Sequence, residues 1–446
     1  MTLGVGIFNR LRAFVLLASL SACVATTACS APSDEDDADD ATADSAFTGT
    51  PDKDIGQLFM IEHFGVVAEG YGDVSGMIKN KNLGALILWN PQNASGEVAR
   101  QMVAKYASVA RQAGTPELFV SADQEEKGTQ RFKSRHGFTD LVDGATLGRA
   151  AARDLRACEL HGQITAREMA SAGMNMSLGT VSDLYTRDSG TPGMFRTRAI
   201  GSDPNLVSSC VRAIMKGYAA EGHVVFVTKH FPGLGNASGN TDVDPNVRSY
   251  SDTKAESDAE LAPYRATIGA VNGDGSSALF GTMISHASYE ILDSTKTPAT
   301  LSPKILKDVL RDDLGLKGLT VSDAFWTWGA TKNLTPIEKR RLMARAFLAG
   351  MDMLMIAKAD FNGAWDYFQM VSADQLPADE QAALVRAAGA SDWASLRAKF
   401  RARVAESAGR IREAKTKVGP SSSFAGTGEP RAASRDLAEE YARLTR

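Results

Sequence analysis

From Asp52 onward, short apolar runs alternate with longer segments of helical spacing. The runs are IGQLFMIEHF (55–64), LGALILW (83–89), ELFVSAD (117–123), GMNMSLGTV (173–181), HVVFVTKH (223–230), ALFGTMISH (278–286), GLTVSDAF (318–325) and GMDMLMIA (350–357). Each is rich in Val, Ile, Leu, Met or Phe without clear alternation, which predicts parallel strands covered on both faces. Between them, 144–172 places Leu147, Ala151, Leu155 and Cys158 at three- and four-residue steps, and 205–221 aligns Leu206, Cys210, Ile214 and Tyr218. Ser302-Pro303 and Thr335-Pro336 open two more helices. The pattern predicts an α/β fold, a single TIM-like (β/α)8 barrel over 52–418, with a doubly wound sheet as the rival. The count of eight favours the barrel. Charged helices over 379–388 and 394–417 close the outer ring, and 419–446 reads as a C-terminal tail ending in a short polar helix.

The N-terminus has the organisation of an export signal. Arg10 and Arg12 precede an apolar run, Ala13 to Leu20, that is too short to span a bilayer. Leu20-Ser21-Ala22-Cys23 then resembles a bacterial lipobox. This predicts a signal peptide over 1–22, lipidation of Cys23, and a lipoprotein exported to the outer face of a bacterial membrane or secreted. Cys29 is the alternative anchor. Residues 23–51 read as an acidic solvated tether, with seven acids and no base from Asp34 to Asp44. The other cysteines, Cys158 and Cys210, fall in helical patterns, as a disulfide or as buried thiols.

The composition, 43% hydrophobic and 23% charged with a net charge of −4, is that of a globular chain and gives no basic stripe for nucleic acid. Barrel sites form at the carboxyl ends of strands. There the runs deliver His63, Trp89 and Asn90, Asp123 and Glu125, Asp183, Lys229 and His230, His286, and Asp323. No HExxH, CxxC pair, calcium loop, GxSxG elbow or Gly-rich phosphate loop is present. Lysine beside His230 opposes a cation, so neither metal nor cofactor is expected. What remains, Lys, His, Arg and several Asp around one pocket, suits polyhydroxylated ligands and carboxylate chemistry at an anomeric carbon.

These segments also resemble, in order, the signatures of family 3 glycoside hydrolases of the bacterial β-N-acetylhexosaminidase type. KHFPGLG (229–235) is similar to KHFPGHG, SADQEEKGTQRF (121–132) to DQEGGRVQRF, and SAGMNMSLGTVSDL (171–184) to AAGINVNFAPVLDV. RTRAIGSDPNLV (196–207), TMISHASYE (282–290) and PATLSPKILKDVLRDDLGLKGLTVSDAF (298–325) match three further blocks. The resemblance covers about 54 to 418. It implies a retaining hydrolase with Asp323 as nucleophile, with Asp123, Arg131, Lys229 and His230 on the sugar and His286 in the pocket. Lys229 and Arg131 would keep Asp323 ionised. The implied substrate is a β-linked amino sugar of cell-wall origin, including peptidoglycan fragments, and the implied membrane contact is the lipid anchor alone.

The pattern breaks in the loop after KHFPGLG. The family's acid/base is an Asp-His pair within GDTxxDSH. Here GLGNASGNTDVDPN puts Asp244 at the aspartate and Asn246, which cannot shuttle a proton near neutral pH, at the histidine. Leu234 replaces a second histidine, and Glu126-Lys127-Gly128 replaces a Gly-Gly-Arg that carries a substrate-binding arginine. Three readings stay open. Asp242 or Asp244 acts directly as acid/base; or Glu125 or Glu126 does so in a glycosidase of altered specificity; or the chain binds sugar without turnover.

Overall fold

The structure is a computed structural model, described here for residues 50–65, 73–91, 94–186 and 195–446. The leader, Cys23, Cys29 and nearly all of the acidic segment lie outside the described residues. In chain order the elements are β1 (Phe59–Phe64), α1 (Val74–Lys81), β2 (Ala85–Asn90), α2 (Gly96–Ala113), β3 (Phe119–Ala122), α3 (Gly144–Ala151) and α4 (Arg156–Ser171). Then follow β4 (Met176–Ser177), α5 (Pro204–Glu221), β5 (Val225–Phe231), α6 (Lys254–Asp274), β6 (Phe280–Ile284), a wide π-type helix (Lys304–Asp313) and β7 (Leu319–Ser322). The chain continues through α7 (Pro336–Ala349), β8 (Leu354–Ile356), α8 (Phe361–Ala373), α9 (Ala378–Ala388), α10 (Trp393–Val418) and α11 (Arg435–Leu444).

All eight apolar runs become strands, and every ladder is parallel, in the order β7-β6-β5-β4-β3-β2-β1-β8. The ring closes where Ser322 N–H donates to Met353 O (3.0 Å) and Asp352 N–H to Thr320 O (3.2 Å). The barrel is therefore the observed fold. The strands β3, β4, β6, β7 and β8 end before their runs do, and the remaining residues of those runs leave the ladder toward the rim.

Helix starts follow local chemistry. Asp73, Ser95, Asp143 and Asp203 each cap a helix by accepting a backbone N–H, and Thr253–Glu256 and Thr335–Glu338 form capping boxes. The single helix expected over 144–172 is two. Asp154 accepts from Arg156 N–H (2.9 Å) and starts α4 in a new direction. Helices α4 and α5 pack closely because Gly162 has no Cβ; one there would lie 2.1 Å from Ile214 O. Cys158 and Cys210 join the same pair as a disulfide.

At the end opposite the rim, Asp352 is fully buried among Arg311 (2.6 Å), Arg410 (2.9 Å) and Arg403 (3.2 Å), with Ser407 Oγ donating at 2.8 Å. Burial opposes ionisation there, but the three guanidinium groups outweigh it and hold the carboxyl well below the usual range. This clamp fastens α10 to β7 and β8.

Residues 419–446 lie on the barrel rather than beside it. Tyr441 is buried, its OH 3.1 Å from His161 Nδ1 and accepting from Val142 N–H, and Ser434 hydrogen-bonds Glu168. Gly426 N–H donates to Ser171 O and Arg431 N–H to Gly137 O. The two apolar residues Leu437 and Tyr441, four apart, give the short helix its buried face.

Candidate active site

Strand ends and the loops after them enclose a cavity of about 310 Å3, lined on its polar side by Asp123, Glu125, Arg131, Arg198, Lys229, His230, Asp242 and Asp323. Lys229 lies buried two residues before the end of β5. Its Nζ donates to Asp123 Oδ1 (2.8 Å) and Leu178 O (2.7 Å) and lies 2.5 Å from Glu125 Oε1. Arg131 reaches Asp123 Oδ2 (3.1 Å) and covers the Trp89 ring (4.5 Å), which meets Trp326 edge-on. Arg198 grips Glu125 with two bonds of 2.9 Å. Burial pushes Asp123 and Glu125 up, but the cations beside them prevail and both are held below the ordinary carboxylate range. Three cations thus face two carboxylates, leaving one positive charge over in the cavity wall.

The turn after β5 is organised by Asp183. Its carboxylate accepts from His230 N–H, from Leu234 N–H (2.6 Å) and, at 2.7 Å, from His230 Nδ1. The Lys229–His230 and Phe231–Pro232 peptides are both cis. Gly235 must be glycine, since a Cβ would lie 2.0 Å from Leu184 O. Beyond it, Ala237 bridges Ser249, and Thr241 O accepts from Gly329 N–H (2.8 Å), tying the loop to the one after β7.

That loop separates the two candidate acids. Asp242 is exposed as a residue, but it lines the cavity beside Thr327 and Asp323. Burial of its carboxyl, then the charge of Asp323, raises its pKa. Asp244 does not line the cavity; its Oδ1 accepts from Asn246 N–H (2.8 Å) in a local turn. Asn246 is exposed and also absent from the lining.

Asp323 lines the cavity at the end of β7, its Oδ1 accepting from Ala324 N–H (2.8 Å). His286 stands behind the wall, stacked flat on Trp328 (4.1 Å, 5°), with Nδ1 2.8 Å from Thr300 Oγ1. Burial pushes its pKa down to about 4 against the pull of Asp323, so it is neutral at pH 7. The structure thus brings together Asp123, Arg131, Lys229, His230, Asp242 and Asp323, and leaves Asp244 and His286 outside the lining. Glu125 is locked between Arg198 and Lys229, and Glu126 is fully buried off the cavity, pushed up to about 8 by burial and then by Glu125. Neither is placed to exchange protons with a ligand. Among the described residues no three His, Cys, Asp or Glu side chains are grouped to hold a metal ion.

Arg198 is a cavity-lining residue that motif reading does not single out. Its signal in the sequence is an arginine three residues before Gly201-Ser202-Asp203-Pro204. Lys127 is exposed and off the cavity, and the guanidinium fork comes from Arg198 in another loop.

A closed parallel barrel with carboxylates, a lysine and two arginines converging at its rim belongs to the class of barrels that carry polar-ligand sites there. Residues 50–386 match the model of the glycosyl hydrolase family 3 N-terminal domain, and the chain belongs to that family. A β-hexosaminidase of Nitrosomonas eutropha is 33% identical over 248 residues, 54% of this chain and 65% of that protein. One of Bordetella avium is 30% identical over 290 residues, 64% of this chain and 77% of its own length. Among solved structures, a β-N-acetylhexosaminidase of Beutenbergia cavernae superposes with a TM-score of 0.64 at 25% identity, covering 83% of this chain and 99% of that one. A family 3 β-N-acetylglucosaminidase of Paenibacillus gives 0.70 at 21% identity, over 89% and 69%.

Proposed function

We propose that the chain is a retaining glycoside hydrolase acting on β-linked N-acetylhexosaminides, with Asp323 as nucleophile and Asp242 as acid/base. The observation that carries this reading is a single cavity holding both carboxyl groups, with Asp242 displaced toward its acid form by burial and by Asp323. Asp323 attacks the anomeric carbon while the glycosidic C–O bond breaks and Asp242 gives its proton to the departing oxygen. Asp242, now a carboxylate, then takes a proton from water, whose oxygen displaces Asp323 from the sugar. Asp323 also faces the positive charge that develops on the ring in each transition state.

Arg131 on Trp89 and the Asp183-oriented His230 supply a stacking face and polar edges for a sugar ring. About 310 Å3 is at the lower end of the range for small-molecule sites, which supports removal of a terminal sugar. The names of the relatives support an N-acetylated hexose. Export, with lipid attachment at Cys23 and a wall-derived substrate, completes the proposal. The lipobox motif supports it, and the Cys158–Cys210 disulfide fits an oxidising compartment.

The test is an aryl β-N-acetylglucosaminide with an activated leaving group. The native chain should release a burst of phenol, and Asp323→Ala should abolish it with an unchanged circular-dichroism spectrum. No release from any aryl glycoside, together with saturable sugar binding, would leave a sugar-binding protein in place of the enzyme.

A further inference from the structure

A second cavity, about 670 Å3, opens between α7, α9, the first turns of α10 and the segment after β6, and shares no lining residue with the first. Four basic side chains, Lys304, Arg345, Arg386 and Lys399, line it. Its one lining carboxylate, Asp293, already accepts from Ser302 Oγ (2.5 Å) and from Thr295 N–H and Oγ1. Four cations against one carboxylate leave a net charge of +3 in the wall.

Several half-buried cations elsewhere in this chain are paired with carboxylates, and the fully buried Lys415 is held by Gln57 Oε1 (2.7 Å) and Gly84 O (2.9 Å). Arg341, one helical turn before Arg345, is forked onto Glu380, and Arg311, Arg403 and Arg410 share Asp352. Among the described residues, none of the four cations in the second cavity lies within 4.0 Å of a carboxylate oxygen. Burial lowers the pKa of Arg345 and of Lys399, and no acid pulls either back. Withdrawing like charges from water without counter-charge is unfavourable unless a ligand supplies it. Guanidinium forks and ammonium groups are the side chains that hold phosphoryl oxygens. Buried Leu301, Leu348 and Leu396 give the same cavity an apolar wall.

We propose that this cavity is a binding site for an organic phosphate, whose phosphoryl group sits among the four cations and whose apolar body lies on the leucines. A phosphate monoester, with about −1.5 to −2 charge at pH 7, answers the surplus more fully than a carboxylate. Its volume lies inside the range of about 300–1,000 Å3 for small-molecule sites. The ligand is a free organic phosphate or the headgroup of an anionic lipid, which share this chemistry. The site does not depend on turnover in the first cavity.

The test is a calorimetric titration of the full chain with hexyl phosphate, hexanol and inorganic phosphate at constant ionic strength. Hexyl phosphate should bind saturably, more tightly than inorganic phosphate, and hexanol should not bind. Arg345→Ala with Lys399→Ala should weaken hexyl phosphate by about tenfold or more, because charge-assisted hydrogen bonds to the phosphoryl group are lost. Lys304→Gln with Arg386→Gln, both exposed and unable to disturb the core, should weaken it in the same direction. Co-sedimentation with phosphatidylglycerol vesicles, competed by hexyl phosphate and lost in the variants, would assign the phosphate to a lipid; hexyl phosphate binding without co-sedimentation would assign it to a soluble molecule. Absence of saturable hexyl phosphate binding, or equal binding by the native chain and both double variants, would overturn the proposal.

Discussion

Asp242→Asn is the substitution that interrogates the proposed mechanism most directly. The side chain lines the cavity beside Asp323, while Asp244, two residues on, is turned into a local hydrogen bond with Asn246. A general acid contributes about 100- to 10,000-fold, or about 3–5 kcal/mol of barrier. Asp242→Asn should therefore slow an alkyl β-N-acetylglucosaminide by that factor. On a dinitrophenyl glycoside, whose leaving group needs no proton, the first step should survive and glycosyl-enzyme accumulate. Azide, a nucleophile that needs no base, should then restore turnover. Asp244→Asn should change either rate by no more than about twofold, as expected of a surface substitution worth about 0.5 kcal/mol or less. The pH profile carries the sign. Burial and Asp323 raise the pKa of Asp242, so the native rate on the alkyl substrate should fall as pH rises through that raised value, and this limb should vanish in Asp242→Asn. Equal loss of the first step by Asp242→Asn on both substrates, or a loss at Asp244 matching that at Asp242, would refute the assignment.

Two further outcomes concern stability. Asp352→Ala leaves three arginines facing one another in the core, and should cost about 3–5 kcal/mol, read as a fall in melting midpoint of about 4–6 °C for a chain of this length. Because the folded pKa of Asp352 is depressed, its contribution is complete above the ordinary carboxylate range and is lost as pH falls through the depressed value; the native and variant denaturation curves should converge in acid. Reducing Cys158–Cys210 opens a link across 52 residues and should lower stability by about 4 kcal/mol on a chain-entropy basis, measured by denaturant titration with and without reductant. An unchanged midpoint would show that packing of α4 on α5 already holds the pair.

Much of the fold was legible because each strand is buried on both faces. Runs such as LGALILW and ELFVSAD must then be apolar throughout, and length with bounding polar residues marks them. The 144–172 segment misled because Leu147, Ala151, Leu155 and Cys158 keep helical spacing across a break that only the Asp154 turn reveals. The docking of the tail was not legible for another reason. Leu437 and Tyr441 give two apolar positions in a polar helix, too few to distinguish a docked strap from a peripheral one until His161 and Glu168 are seen beneath it. Within the site, Asp323, Lys229, His230, Asp123 and Arg131 were readable because each ends a strand or follows it in a fixed motif. Arg198 and Asp183 were harder, since their partners, Glu125 and His230, lie 73 and 47 residues away.

The sequence by itself determined that this chain is a (β/α)8 barrel with a base- and carboxylate-bearing rim. Periodicity and strand-end composition are local properties, written directly in the residue order. Only the tertiary structure decided which acid the cavity receives. The resemblance favours Asp244 whereas the cavity receives Asp242, and the choice follows from how the loop is pinned by the Ala237–Ser249 bridge and the Thr241–Gly329 hydrogen bond. The tertiary structure also decided that Glu125 is an ion-pair anchor and His286 a neutral support. Charge state depends on burial and on neighbours brought from distant loops, and neither is visible one residue at a time.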